Sequence, residues 1–258
     1  MPVFQLLMRL CAVIPTYNNA ATLGSVLDGV LAVCPDVIVV NDGSSDATGE
    51  LLANAAGVHV IGYYKNRGKG NALRVGLREA RRMGFDYVVT LDSDGQHSPS
   101  DIPALVDVLT NQDEQFPTKS VGGYKNSLVV GSRNLSAEGM PHANTFANRF
   151  SNFWFTVQTG LRLPDTQTGF RIYPLHALPP LWLLPNRYEA ELLLLVLMAW
   201  KGVHIVPAPV SVAYPDDRVS HFRPFRDFAR ISLLNTLLCI VALIYGWPRT
   251  IIRRLFRR

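Results

Sequence analysis

Two carboxylates one residue apart, Asp92 and Asp94, follow a run of β-branched and aromatic residues, and Gln96 comes just after them in Asp92-Ser-Asp-Gly-Gln96. Hard oxygen donors at this spacing suit Mg²⁺ or Mn²⁺ shared with a diphosphate. A solvated acidic turn has the same composition, so the pair alone leaves both readings open. Three other segments offer complementary groups. Pro15-Thr-Tyr-Asn-Asn19 carries a stacking ring, Asn41-Asp-Gly-Ser-Ser-Asp46 carries Asp42, and Tyr64-Lys-Asn-Arg-Gly-Lys-Gly70 sets Lys65, Arg67 and Lys69 among glycines. Each is weak when taken singly. Asn-Asp-Gly is a common turn, and Gly68-Lys-Gly70 completes neither a P-loop nor a G-x-G-x-x-G fingerprint.

The elements around these segments bring them together. Short apolar runs at Arg9–Ile14, Val37–Val40, Val58–Ile61 and Asp86–Leu91 read as strands. Helical spacing marks Ala20–Val33, Ala47–Ala55, with Ser45 and Asp46 as caps, and Lys69–Met83. Repeated β-α units imply a parallel sheet with helices on both faces, so the four segments converge at the carboxyl edge where ligands bind. A helix over Ile102–Leu109, a loop over 111–126, a strand at Ser127–Gly131 and a helix over Ala143–Gly160 are expected next. A strand at Phe170–Tyr173, a helix over Tyr188–Trp200 and a strand at Val203–Val206 follow.

Composition adds a second theme. The chain has 258 residues, 48% of them hydrophobic and only 17% charged, enough for one large α/β domain with apolar residues to spare. The three cysteines are too widely spaced for a disulfide framework or a zinc site and read as buried hydrophobes. Net charge is +5, but residues 218–258 hold nine arginines against one aspartate, while the preceding 217 hold 16 basic and 19 acidic residues. A mildly acidic body with a basic tail points to an anionic surface. Ile231–Trp247 carries no charge for 17 residues and has arginines on both sides, near the lower limit for a spanning helix. The tail therefore implies a membrane, with no nucleic acid expected, since no basic face with interleaved aromatics occurs elsewhere. His221–Phe228 interleaves Phe with Arg and reads as an amphipathic segment at headgroup level. Met1–Leu10 lacks a basic n-region, so no export signal is expected and the body is placed on the cytoplasmic face of the membrane, the inner membrane in a bacterium.

Several motifs together carry a resemblance. VIPTYNN (13–19), VVNDGSSDAT (39–48), NRGKGNALRVGL (66–77) and LDSDGQHSP (91–99) closely resemble the family 2 inverting glycosyltransferases of GT-A fold. More narrowly, they resemble the polyprenyl-phosphate (dolichyl-phosphate) mannosyltransferase-like branch. The likeness continues through VGSRN (130–134), DTQTGFRIYP (165–174), RYEAELLL (187–194) and VPAPV (206–210), covering nearly all of residues 9–220. It implies an α/β GT-A fold, Rossmann-like with a mostly parallel sheet, over residues 1–217. Residues 218–258 would add the basic amphipathic segment, the membrane-associated helix and the Arg-rich tail.

The implied activity is metal-dependent, inverting transfer of a sugar from a UDP- or GDP-linked donor to a lipid-linked or polyprenyl-phosphate acceptor. By resemblance Asp92, Asp94 and Gln96 hold Mg²⁺ or Mn²⁺, Pro15, Tyr17 and Asp42 hold the nucleoside with Asp92 near the ribose, and Lys69 lies near the diphosphate. Asp165 lies near the reacting centre as a base or an electrostatic contributor, although its residue type also suits a helix cap before Thr166. A hydroxyl acceptor needs a base and a lipid phosphate does not. Arg133, Arg149 and Arg171 are candidate anion binders through their paired donors, and Arg218 resembles a late arginine that closes on the donor diphosphate. The chain departs from the branch on the acceptor helix, where Asn144 and Asn148 replace an expected arginine and serine and Arg149 is displaced. Two other readings predict differently. A sugar-nucleotide-forming nucleotidyltransferase calls for an early glycine-rich triphosphate loop, which the sequence lacks. A non-catalytic membrane scaffold has no use for an intact D-x-D-x-Q.

Overall fold

The computed structural model describes residues 8–110, 126–133, 142–213 and 224–256. The expected alternation runs β1 Leu10–Thr16, α1 Ala20–Leu31, β2 Val37–Asn41, α2 Thr48–Asn54, β3 Val58–Gly62, α3 Lys69–Arg82 and β4 Tyr87–Thr90. Then come α4 Ile102–Thr110, β5 Ser127–Arg133, α5 His142–Thr159, β6 Arg171–Pro174, α6 Glu189–Lys201 and β7 His204–Val210. The chain ends in α7 Pro224–Val241, a π-helical turn over Ala242–Gly246 and α8 Trp247–Phe256. Most of the loop expected over 111–126, the boundary at 217/218 and Arg218 lie outside the described residues.

The seven strands form one sheet in the order β3-β2-β1-β4-β6-β5-β7. Strands β1 to β4 are parallel where they pair, and β5 is parallel to β7. Strand β6 runs antiparallel between β4 and β5, so the sheet is mixed but mostly parallel. Alternate residues of each central strand enter different cores. Cys11, Val13, Ile38, Val40 and Val88 pack under α3 and α6, and Ala12, Ile14, Val37, Val39 and Val89 pack under α1 and α4. Burial on both faces explains why these strands read as unbroken apolar runs. The edge strand β7 continues through Pro207 and Pro209 to Val210, beyond the stop expected at Val206. An edge strand tolerates proline because one side of its backbone has no ladder to complete.

Local chemistry sets the helix starts. Asp46 Oδ1 accepts the Thr48 N–H at 3.0 Å and Oδ2 the Ala20 N–H at 3.1 Å, so it satisfies the first amide of α2 from one residue ahead of the N-cap, Ala47, and ties it to the start of α1. Gly68, with φ of +101°, precedes α3, and a Cβ there would press on the Asn186 carbonyl. Cys11 and Cys34 are buried free thiols, and Cys239 is half-buried and also free.

Helix α3 lies close on β1 at Gly76, where a Cβ would run into the Val13 side chain. Replacing Gly76→Ala should push α3 off the sheet and destabilise the protein by about 1–3 kcal/mol. Thermal denaturation will read this as a Tm several degrees lower.

Candidate active site

The loops beyond β1, β2 and β4 are stitched into one surface. Asn18, in the left-handed region at φ +51°, accepts the Ser45 N–H on Oδ1 at 2.8 Å and donates its own N–H to Ser44 Oγ at 3.0 Å. Asn19 Nδ2 donates to Ser93 Oγ at 2.7 Å, and that hydroxyl donates to the Pro15 carbonyl at 3.2 Å. Asp42 is 2% exposed, and its two oxygens accept the N–H groups of Arg67 and Gly68 at 2.9 and 2.8 Å. Asp42 therefore fixes the loop that leads into α3, while still lining the cleft.

That cleft has a volume of about 1290 Å³. Of the residues expected on the donor side, Pro15, Tyr17, Asp42, Lys69 and Asp92 line it, as do Asp94, Gln96 and Arg133. At its centre Lys69 Nζ lies 2.7 and 3.0 Å from the two oxygens of Asp92 and 3.1 Å from Glu191 Oε2. Burial opposes the Asp92 charge, but the ammonium outweighs it and holds the carboxyl below its ordinary pKa. Lys69 is likewise raised by the two carboxylates against its burial. Asp94 goes the other way, pushed up by burial and then by the Asp92 charge beside it. Gln96 Nε2 donates to Asp94 Oδ2 at 2.5 Å and orients it.

Among the described residues no group of three or more His, Cys, Asp and Glu is placed to hold a metal ion by itself. The donor set nonetheless fits a hard divalent cation. Asp92 and Asp94 stand one residue apart at the cleft with Gln96 beside Asp94, while Lys69 is shared between Asp92 and Glu191. Mg²⁺ is commonly held by one or two carboxylates, with substrate phosphates and water completing the octahedron.

Asp165 is fully buried behind the cleft wall. It forms a paired-donor ion pair with Arg133, Nε at 2.5 Å and Nη2 at 3.0 Å, and also accepts from Asn148 Nδ2 at 2.6 Å and the Gln167 N–H at 3.0 Å. Burial works against the charge, yet these donors keep its pKa below the ordinary value. Such a carboxylate is a weak base, so of the two expected roles only the electrostatic one fits. No helix begins at Thr166, which removes the cap reading.

The other arginines divide differently from expectation. Arg171 is fully buried, and its guanidinium donates to the carbonyls of Thr168, Thr166 and Glu191 and to Tyr173 Oη. It braces the 166–168 segment against α6 and has no surface open to an anion, which corrects its assignment as a phosphate binder. Arg149 is exposed on α5 and does not line the cleft, because the helix turns it away while Asn148 points in at Asp165. Arg218 lies outside the described residues.

Sequence reasoning missed Glu191 and His97. Glu191 sits in a helix read only as apolar, and an acidic residue in that run was the available signal. His97 directly follows Gln96, is buried against Phe170 with ring centroids 5.3 Å apart, and is held towards neutrality by burial. A third omission is an aromatic wall, Phe150 of α5 and Phe228 of α7, with centroids 5.8 Å apart.

Comparison with known proteins places this architecture. Glucosyl-3-phosphoglycerate synthase from Mycobacterium tuberculosis, solved with Mn²⁺, uridine diphosphate and phosphoglyceric acid, aligns at TM-score 0.63 and 22% identity, covering 93% of this chain and 78% of that one. The fold is GT-A. Residues 11–173 match the profile of glycosyl transferase family 2, and the chain belongs to that family of glycosyltransferases. An undecaprenyl-phosphate mannosyltransferase of Micrococcus luteus is 30% identical over 175 residues, 64% of this chain and 66% of that protein. A UDP-N-acetylglucosamine–dolichyl-phosphate N-acetylglucosaminyltransferase of Methanococcus voltae is 27% identical over 249 residues, 86% of this chain and 94% of that protein. These relatives bear the names of the branch that the motifs resemble.

Arg133→Met would leave the Asp165 carboxylate buried without its main partner and should cost about 3–5 kcal/mol at neutral pH. In the wild type the pair stabilises fully above the unfolded carboxylate pKa and is lost as the pH falls through the depressed folded value. Denaturant titrations should therefore show the gap between variant and wild type narrowing as the pH drops towards and below about 4. Glu191→Gln should keep the fold but reduce glycosyl transfer by about 10–100-fold. Unchanged turnover would show that Lys69 needs only Asp92.

Proposed function

We propose that the protein moves a sugar from a UDP- or GDP-linked donor, with inversion, to a polyprenyl-phosphate-type lipid at the cytoplasmic face of a membrane. Asp92 and Asp94, with Gln96, would hold Mg²⁺ or Mn²⁺, which when bound supplies Lewis-acid neutralisation of the departing diphosphate. Pro15, Tyr17 and Asp42 shape the nucleoside end, and the outer part of residues 218–258 meets the membrane. Arg133, held rigid by Asp165, offers its outer edge to the acceptor phosphate, with Arg218 closing on the donor.

One observation carries the choice of acceptor. Each carboxylate that lines the cleft, and Asp165 behind it, already has a donor: Asp42 from two amides, Asp92 and Glu191 from Lys69, Asp94 from Gln96, and Asp165 from Arg133. A hydroxyl nucleophile would need one of them, or the neutral His97 ring, as a base. An acceptor phosphate is already anionic and needs a cation to position it. Its oxygen attacks the anomeric carbon, the bond from that carbon to the diphosphate oxygen breaks, and the nucleoside diphosphate leaves with the electron pair. No proton has to move.

The names of the polyprenyl- and dolichyl-phosphate relatives support the same reading. With radiolabelled UDP- and GDP-sugars and Mn²⁺, label should pass into the organic phase with polyprenyl phosphate and not with the corresponding alcohol. Equal transfer to the alcohol would overturn the acceptor class, and no transfer from any sugar nucleotide would overturn the activity. Asp94→Asn should reduce the rate by about 10²-fold or more, and full activity would end the metal-site assignment.

A further inference from the structure

The segment Arg226–Ile252 forms a helix of 27 residues, in which an 18-residue window reaches a mean hydropathy of 1.9. At 1.5 Å per residue this is about 40 Å, long enough to cross a hydrocarbon layer of about 30 Å. Its packing argues against crossing. Asp227, Asn235, Leu238, Ala242 and Gly246 are buried and form one stripe against α5 and α6. Gln158 Nε2 donates to Asn235 Oδ1 at 2.9 Å, and Trp247 Nε1 donates to the Val157 carbonyl at 3.0 Å. Trp200 packs edge-on against Tyr245 at 6.1 Å, and a Cβ on Gly246 would meet the Trp200 ring at 2.5 Å. The seam from Asp227 to Gly246 spans about 29 Å at the helical rise, as much as the bilayer core requires. Helix α6 is itself a core helix, with Leu194, Leu195 and Met198 fully buried. A spanning helix would have to tear this seam open or draw the central sheet into lipid.

The opposite face has no protein partner among the described residues. Leu233, Leu237, Ile240 and Ile244 recur at i, i+4, i+7 and i+11, exposed by 73%, 55%, 53% and 76%. Exposed apolar positions continue at Ile251 and Leu255 of α8. An apolar face of this length has to be covered. Arg226 and Arg230 are exposed at one end, Arg249 stands at the other, and the 17 residues 231–247 between them have no charge. Arginine at both ends is at odds with a crossing helix, because cationic flanks favour the cytoplasmic side. It suits a helix whose two ends meet the same anionic headgroups. Tyr245 and Trp247, both part-exposed, suit the same level.

We infer that α7 and α8 form a monotopic anchor that lies along an anionic bilayer surface with the Leu233–Ile244 stripe in the lipid and both ends on one side. The inference deepens the proposed membrane location and rests on it. It also accounts for where the cleft opens: Phe228, Ala229 and Ile231 from the start of this helix line it together with Phe150, so a lipid phosphate at headgroup level reaches Arg133 without leaving the membrane plane.

The test uses the full chain, added to preformed vesicles of phosphatidylglycerol and phosphatidylcholine or of phosphatidylcholine alone. Flotation should favour the anionic vesicles and weaken in high salt. No binding to either would overturn the membrane location itself. On bound protein in a Cys239→Ser background, Arg226→Cys and Arg249→Cys, one at each end of the uncharged stretch, should each react fully with an impermeant maleimide from outside. Protection of either one until detergent is added would overturn the in-plane arrangement while leaving the membrane location intact. Ile244→Lys should weaken vesicle binding at least about tenfold with the Tm and soluble sugar-nucleotide binding preserved. Unchanged binding of that variant, or a dimer in solution that loses its second copy on this substitution, would mean that something other than lipid covers the stripe.

Discussion

The Lys69 ammonium is the charge on which the cleft depends. It bridges Asp92, at the end of β4, and Glu191, in the first turn of α6, and it sits at the first residue of α3. Without it, Asp92, Asp94 and Glu191 would place three negative charges in a partly desolvated space, where repulsion would protonate or expel them. Several features of the backbone serve this one position. Gly68 lets the chain turn into α3 beside the Asn186 carbonyl, Asp42 fixes the preceding amides, and Gly169 has no side chain where a Cβ would stand 3.0–3.1 Å from Glu191, Asp92 and Lys69. Asp94 has no ammonium of its own, and burial, followed by the Asp92 charge beside it, pushes its carboxyl up.

A second ion pair works by a different logic. Arg133 and Asp165 neutralise each other behind the cleft wall, and the pair is anchored by Asn148 from α5. The guanidinium is thereby held in one orientation, which suits recognition of a phosphate more than proton transfer. Arg171 shows the opposite use of the same side chain. Its donors satisfy carbonyls of the 166–168 segment and of α6, so it stiffens the floor on which Gly169 and Thr168 stand.

The C-terminal helix joins these parts to their surroundings. It buries one polar and small-residue stripe against α5 and α6 and turns an aliphatic stripe outwards, with Phe228 reaching the cleft from its first turn. An exposed aliphatic stripe and one wall of the cleft thus share one element.

The strand-end positions of Asp42, Lys69, Asp92 and Asp94 were legible in the sequence. Period and punctuation mark parallel strands, and a parallel sheet brings its carboxyl ends together whatever the detailed packing. The charge asymmetry and the apolar tail were legible for the same reason, since composition alone carries them. The antiparallel direction of β6 was not, because strand direction is set by partners distant in the chain, and the run of β7 through two prolines came from the VPAPV resemblance and not from periodicity. Nor could residue type separate the arginines: Arg133, Arg149 and Arg171 offer identical donors, and only the fold decides that one faces the cleft, one faces solvent and one is enclosed. The same holds for Asp165, which the sequence offers as a base, an electrostatic contributor or a helix cap, and which the fold encloses in an ion pair with Arg133. The sequence determined which groups meet at the sheet edge, because local periodicity dictates the elements that carry them. Only the tertiary structure decided what each group is free to do, because that depends on which neighbours have already taken its hydrogen bonds and its charge.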